Sequence, residues 1–267
     1  MKTRIGRLEA QVLAYAQMRG LRTVRPGDLS GSILGLSPLQ ERKVLSRLAR
    51  ARMIARVRRG LYLVPGRLPL GGAWTPDEIL AIDTLIADRG GRYQICGPSA
   101  FSRYGYDEQI PNRIYAYNNR ISGDRRIAAI QLTLIRVADA RLGDTESRKT
   151  RDGLLAVYSS RARTLVDSVY DWSRFGSLPR AYGWIRDDLA AGRVRPADLI
   201  RVTKRYGDVG TRRRIGALLE REGTDERLLR SLRRGLRAPK NPIPWIPGRP
   251  RRGTVDRRWG IVWNDGA

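Results

Sequence analysis

The sequence predicts an α+β chain, and three observations carry that prediction. Apolar residues recur at helical spacing in some stretches and alternate in short β-prone runs in others. Hydrophobic residues make up 41% of the 267, enough for a packed core. The charge is segregated: residues 1–64 carry 14 basic and 3 acidic side chains, 65–200 carry 20 and 16, and 201–267 carry 18 and 7. The expected order is an N-terminal domain over 1–66, made of helices closed by a hairpin. A larger mixed α/β domain over 67–267 follows, with a helical C-terminal part and a final strand.

Residues 5–19 place Ile5, Leu8, Val12, Tyr15 and Ala16 at helical spacing, and Gly20 supplies a stop. After Pro26-Gly27 a short helix is expected from Asp28 to Leu34. Ser37 then caps a third helix over 38–51, with Pro38 at its first position and Gln40 placed to complete a capping box. At 100° per residue, Val44, Leu45 and Leu48 share one face. Lys43, Ser46 and Arg50 lie nearly opposite, flanked by Arg42 and Arg47. A strand follows in ARMIARVR, then a turn at Arg58-Arg59-Gly60, then LYLV, whose Leu61 and Leu63 pin the hairpin to the helices.

Helix, short helix, helix and hairpin is the order of a winged helix-turn-helix. In that arrangement the third helix enters the DNA major groove and the hairpin is the wing. Arginines at a wing tip suit a phosphate backbone, where they form charge-assisted and often bidentate bonds.

Further along, residues 74–88 read as a helix with Thr75 as cap, Pro76 at the first position and Glu78 at the third. The runs 92–96, 113–119 and 127–137 read as strands, with a short helix over 97–105. Residues 161–192 are helical. Two more helices are expected between Pro196 and Leu236, with Ile215, Leu218 and Leu219 inward. Residues 237–254 read as a connector too rich in proline for regular structure. Trp259, Ile261 and Trp263 alternate like a half-buried last strand.

Net charge is +26, which implies a polyanionic partner, nucleic acid first among them. The absence of histidine removes His-based acid–base catalysis, Ser-His-Asp triads and His metal sites. The single cysteine, Cys96, reads as a small core residue. Adjacent carboxylates at Asp187-Asp188 point about 100° apart on a helix, which is poor geometry for a shared metal. No catalytic, metal or cofactor residue is therefore assigned. No apolar run approaches the ~18 residues that cross a bilayer, so no membrane partner and a cytoplasmic location are expected.

RMIARVRRGLYLVPG, YQICGPSAFSRYG, RTLVDSV and RRWGIVWN, in that order and spacing, resemble the AbiEi family. Its members are antitoxins of AbiE-type (type IV) toxin–antitoxin systems. The resemblance spans essentially the whole chain and implies a repressor in two parts. The winged helix would bind inverted repeats in the promoter of its own operon, and the C-terminal domain would neutralise a co-encoded nucleotidyltransferase toxin. Carried onto this sequence, the DNA contacts are Arg42, Lys43, Ser46, Arg47 and Arg50 on the helix and Arg56, Arg58 and Arg59 on the wing. Two alternatives stand beside this reading. A stand-alone winged-helix regulator that senses a small ligand requires a pocket with convergent polar groups. A nuclease requires a carboxylate cluster beside a lysine, which the sequence does not offer.

Overall fold

The structure, a computed structural model, describes residues 5–68, 73–150, 152–236 and 241–266. In chain order the elements begin with α1 (Arg7–Met18), β1 (Thr23–Val24), α2 (Pro38–Arg50), β2 (Ala55–Arg58), β3 (Leu61–Leu63) and α3 (Glu78–Ala87). Next come β4 (Tyr93–Ile95), α4 (Gly97–Tyr104), β5 (Ile114–Asn118), β6 (Gly123–Ile127), β7 (Ile130–Arg136), β8 (Thr145–Lys149) and β9 (Leu155–Ser159). The helices α5 (Arg161–Tyr170), α6 (Trp172–Phe175), α7 (Arg180–Ala190), α8 (Pro196–Tyr206), α9 (Val209–Arg221) and α10 (Glu226–Arg233) follow. The chain closes with β10 (Ile243–Pro244), β11 (Thr254–Asp256) and β12 (Ile261–Trp263). This is a mixed α and β chain.

Two compact units emerge. The first holds residues 1–93, 112–137 and 149–156, and the second 94–111, 138–148 and 157–267. Residue 66, the boundary expected from composition, falls inside the first unit, which also takes in α3 and β5–β7.

In the first unit, β1, β3 and β2 form a three-stranded antiparallel sheet in that order. It packs with α1 and α2 around Val12, Leu13, Ala16, Val24, Leu45, Leu48, Ile54 and Tyr62. Ile5, which spacing places in the helix, is exposed ahead of it, while Leu13, outside that pattern, is buried. The capping box is present: the Gln40 N–H donates to Ser37 Oγ at 3.3 Å, and the Ser37 N–H to Gln40 Oε1 at 2.9 Å. Gly60 adopts φ +77°, the left-handed turn that a hairpin this tight requires. Elsewhere in the unit, β7 pairs with β5 in parallel and with β6 antiparallel.

Four local expectations are corrected in this unit and the next. Residues 28–34 form successive turns and no regular helix. Gly27 and Gly35 there take positive φ, and the Gly27 and Leu29 amides are bound by the Glu41 side chain. The cap of α3 is Asp77, whose carboxylate accepts from Ile79 and Leu80 N–H at 2.7 and 3.2 Å; Thr75 lies two residues too early. The run 127–137 is not a single strand. A turn with Ala128 at φ +52° divides it, and β6 on the near side is the poorly β-forming GDRRI. Between Pro196 and Leu236 three helices stand where two were expected, separated at Gly207 and Gly223.

The second unit is built around α5, in which every residue from Ala162 to Val169 is buried. Leu165, Val166, Ile185, Leu199, Ile215, Leu218, Trp245 and Trp259 belong to one apolar cluster. A strand β4 pairs in parallel with β9 through Ile95 and Tyr158, and Cys96, just beyond it, is fully buried. The proline-rich segment is also corrected. Residues 237–240 lie outside the described residues, but Ile243 and Pro244 form β10 in parallel with β12, and Trp245 and Ile246 are buried. The Ile243 and Trp245 N–H groups donate to Gly260 and Val262 carbonyls at 2.8 and 2.9 Å. Pro244 lies on an edge strand, where a missing donor costs no ladder bond.

Candidate nucleic-acid interface

The helix α2 is mounted from beneath and from its start. Val44, Leu45 and Leu48 are at most 1% exposed, so the buried stripe is the one that helical spacing assigns. Glu41 in its first turn is fully buried, accepting from Gly27 N–H at 3.0 Å and Leu29 N–H at 3.1 Å. A buried carboxylate is tolerable because both its oxygens are bonded. The bonds also tie the preceding turns to the helix and fix its direction.

The five sequence-chosen side chains on α2, Arg42, Lys43, Ser46, Arg47 and Arg50, are all exposed. They are not equivalent. Arg47 Nε pairs with Glu9 Oε1 of α1 at 2.7 Å. Arg42, Lys43 and Arg50 have no carboxylate partner among the described residues. Like charges one turn apart repel, so this face is held together by the buried stripe and is unfavourable electrostatically until an anion meets it.

The hairpin arginines divide in the same way. Arg56 and Arg59 are exposed. Arg58 is engaged on every nitrogen: Nε and Nη2 donate to Asp88 Oδ2 and Oδ1 at 2.6 and 2.8 Å, and Nη1 to the Arg59 carbonyl at 2.7 Å. Arg25 Nη2 reaches the same carboxylate at 3.0 Å. Arg58 is thus a brace between the hairpin and the end of α3, which leaves Arg56 and Arg59 as the exposed hairpin arginines without an acidic partner among the described residues.

The Asp88 side chain is 4% exposed, and the Arg58 hydrogen bonds hold its carboxyl down at about 2, with Arg25 adding to them. An acid whose pKa is depressed by folding contributes stability above its unfolded value, near 3.8, and loses it as pH falls toward 2. Both arginines are partly exposed, so the contribution is about 1–2 kcal/mol after screening. Asp88→Asn should cost that amount in urea titrations at pH 7, and the gap to wild type should close by pH 2. A gap of equal size at both pH values would show that the ion pairs contribute nothing.

Sequence reasoning missed Arg52 and Arg126, which the fold brings beside Arg50 and Arg56. Arg52 stands in the ARAR run, in a turn ahead of β2 where composition alone reads as strand. Arg126 sits in a segment with too little β propensity to be recognised.

In the second unit, Tyr104, Tyr106, Arg161, Trp184, Asp188 and Arg193 line a cavity of about 250 Å³. Asp188 is fully buried and accepts from Tyr106, from Arg161 at 3.1 Å and from Arg193 at 2.6 Å. Burial and that carboxylate push the Tyr106 hydroxyl well above its ordinary value. Its ring stacks on Trp184 at 5.5 Å. With the carboxylate saturated by three donors and the phenol kept protonated, the cluster lacks a free base.

Among the described residues no group of three or more Asp, Glu, Cys or His side chains could hold a metal ion, and no helix is long and apolar enough to cross a membrane. No family model matches the chain, and no curated protein matches it significantly. Among solved structures it is similar to the RV2827C protein from Mycobacterium tuberculosis. The TM-score is 0.61 at 18% identity, covering 97% of this chain and 92% of that one. At that identity the likeness concerns the fold.

Proposed function

We propose that the protein is a DNA-binding repressor whose α1–β3 segment is a winged helix, with α2 in the major groove and the β2–β3 hairpin against the backbone. In keeping with the AbiEi resemblance, it would act in the cytoplasm as an antitoxin that represses its own operon. The remainder of the chain would counter a nucleotidyltransferase toxin, and no catalytic step is assigned. The element order supports the winged helix, including β1 returning to the edge of the hairpin. The replacement of its second helix by turns is a departure from the pattern. One observation carries the reading: Arg42, Lys43 and Arg50 stand exposed and without a carboxylate partner among the described residues, on a helix whose opposite face is fully buried. Nucleic acid is the partner that relieves such a face over several contacts at once.

The test uses the full chain and the promoter DNA upstream of its own gene. Binding should weaken steeply with salt, log K falling by about 0.9 per phosphate neutralised against log salt. Combined replacement of Arg42, Lys43 and Arg50 by alanine should abolish binding at ~150 mM salt without lowering the thermal transition, since none of the three is buried. Wild-type affinity in that folded variant would overturn the assignment of α2.

One specific feature favours a second reading, a winged-helix regulator that senses a small ligand. The cavity at Tyr104, Tyr106 and Trp184 combines stacking faces with the donors of Arg161 and Arg193.

A further inference from the structure

We infer that the groove lined by Arg50, Arg52, Arg56 and Arg126 is a phosphodiester-binding site that carries the DNA backbone from the end of α2 onto the β6–β7 hairpin. The inference rests on the DNA-binding reading above and extends its contact surface to Arg52 and, outside the winged helix, to Arg126. Four arginines converge there from separate parts of the first unit: the last residue of α2, the turn after it, strand β2 and strand β6. The groove has a volume of about 370 Å³, and no carboxylate is among its lining residues.

All four side chains are exposed, and among the described residues none has an acidic partner. That sets them apart from Arg25, Arg47 and Arg58 in the same unit, each of which is paired with an Asp or Glu. Arg126 donates through Nε to the Ala128 carbonyl at 3.0 Å, which orients its guanidinium and leaves both terminal nitrogens for an anion. Thr75, also on the lining, adds a hydroxyl. Clustered cations without counter-charge repel one another, and an oxyanion with several acceptor oxygens removes that repulsion.

The backbone gives a second, independent sign. Among the described residues three that are not glycine take positive φ, and two of them, Arg52 (+59°) and Ala128 (+52°), lie on this groove. L side chains disfavour that conformation, and such positions persist where the surroundings enforce them, often at binding sites. Here the Trp74 N–H donates to the Arg52 carbonyl at 2.7 Å and holds the turn in place. A duplex backbone suits the site better than a small enclosed ligand. Arg50 both lines the groove and ends α2, so a backbone laid along the outward face of that helix runs directly into it.

Two positions allow a clean test because neither belongs to the α2 face. Arg52→Gly removes a charge and relieves the left-handed strain, so it should fold at least as well as wild type. Arg126→Ala removes the charge that β6 contributes to the groove. In the full chain the double variant should lower the salt slope of duplex binding by about 1.8, with the ratio between the promoter and an unrelated duplex unchanged. Arg126→Lys paired with wild-type Arg52 should keep the wild-type slope. An unchanged slope in the folded double variant, while the α2 variant loses binding, overturns the groove and leaves the DNA reading intact. Absence of salt-dependent duplex binding by wild type overturns both. A third arm titrates pyrophosphate and follows thermal stability. Saturable stabilisation that the double variant loses, with its duplex slope unchanged, would make the groove a site for free phosphates and overturn its assignment to the DNA backbone.

Discussion

Asp167→Asn should destabilise the second unit by about 3–5 kcal/mol, the cost of leaving a buried charge without its partner. Arg163 and Asp167 are 0% and 1% exposed, with Arg163 Nε donating to Asp167 Oδ2 at 2.8 Å one turn along α5. Arg163 also donates through Nη2 to the Arg141 carbonyl at 3.0 Å, and its guanidinium lies 3.7 Å from the centre of the Tyr206 ring. It cannot swing out to water without abandoning these contacts and the packing of α5. The change should lower the thermal midpoint by about 6–20 °C at 2–4 °C per kcal/mol. Intrinsic fluorescence is a suitable probe, because of the six tryptophans only Trp74 lies in the first unit. The double change Arg163→Met with Asp167→Leu should recover part of the loss, because both members of the pair leave together while the Arg141 carbonyl loses its donor and the Arg141 guanidinium, 3.8 Å from Asp167, loses its acidic neighbour. A single-variant loss below 1 kcal/mol would mean that water reaches the pair.

Trp245→Ala should cost a similar 3–5 kcal/mol, the range for emptying a fully buried large aromatic site. Trp245 is 2% exposed and stacks on Tyr182 at 3.7 Å with 7° between the planes, while Trp263 packs at 4.7 Å. Its backbone is fixed as well: Tyr182 Oη donates to its carbonyl at 2.8 Å. Trp245→Phe should keep part of the stack and lose less than half as much. Hydrogen exchange should show the alanine variant losing protection at the amides of Ile243 and Trp245 first. A near-neutral Trp245→Ala would mean that the C-terminal segment is not part of the core.

That last point marks one place where reading by composition went wrong. Proline density in PKNPIPWIPGRPRRG argues against regular structure, and the argument holds for most of the stretch. It fails at Ile243-Pro244 because an edge strand needs only alternate N–H groups, and proline can occupy the others. What then orders the segment is a tryptophan with a ready-made site against Tyr182, far away in sequence. The missed strands have a related cause. GDRRI in β6 and TESRK in β8 are almost wholly exposed and carry no apolar alternation, so hydrogen bonding to a neighbour decides their conformation. The buried Arg163–Asp167 pair was visible as an i,i+4 spacing, but spacing alone cannot separate a buried pair from a solvated one.

By itself the sequence determined α2, its capping box and its two faces, and the Gly60 turn of the hairpin. These follow from hydrogen bonds and periodicities within a few residues, which any context preserves. It also determined that no histidine chemistry is possible. Which arginines are available to a polyanion was decided only by the tertiary structure. Arg47 is paired with Glu9 of α1, and Arg58 is bound by Asp88 from thirty residues further on. Arg126 is brought beside Arg50, the last residue of α2, from strand β6. An arginine reaches well beyond its own turn, and the carboxylate that claims it can come from anywhere in the chain. Local spacing therefore shows where positive charge lies, and only the packed fold shows which of it is already neutralised.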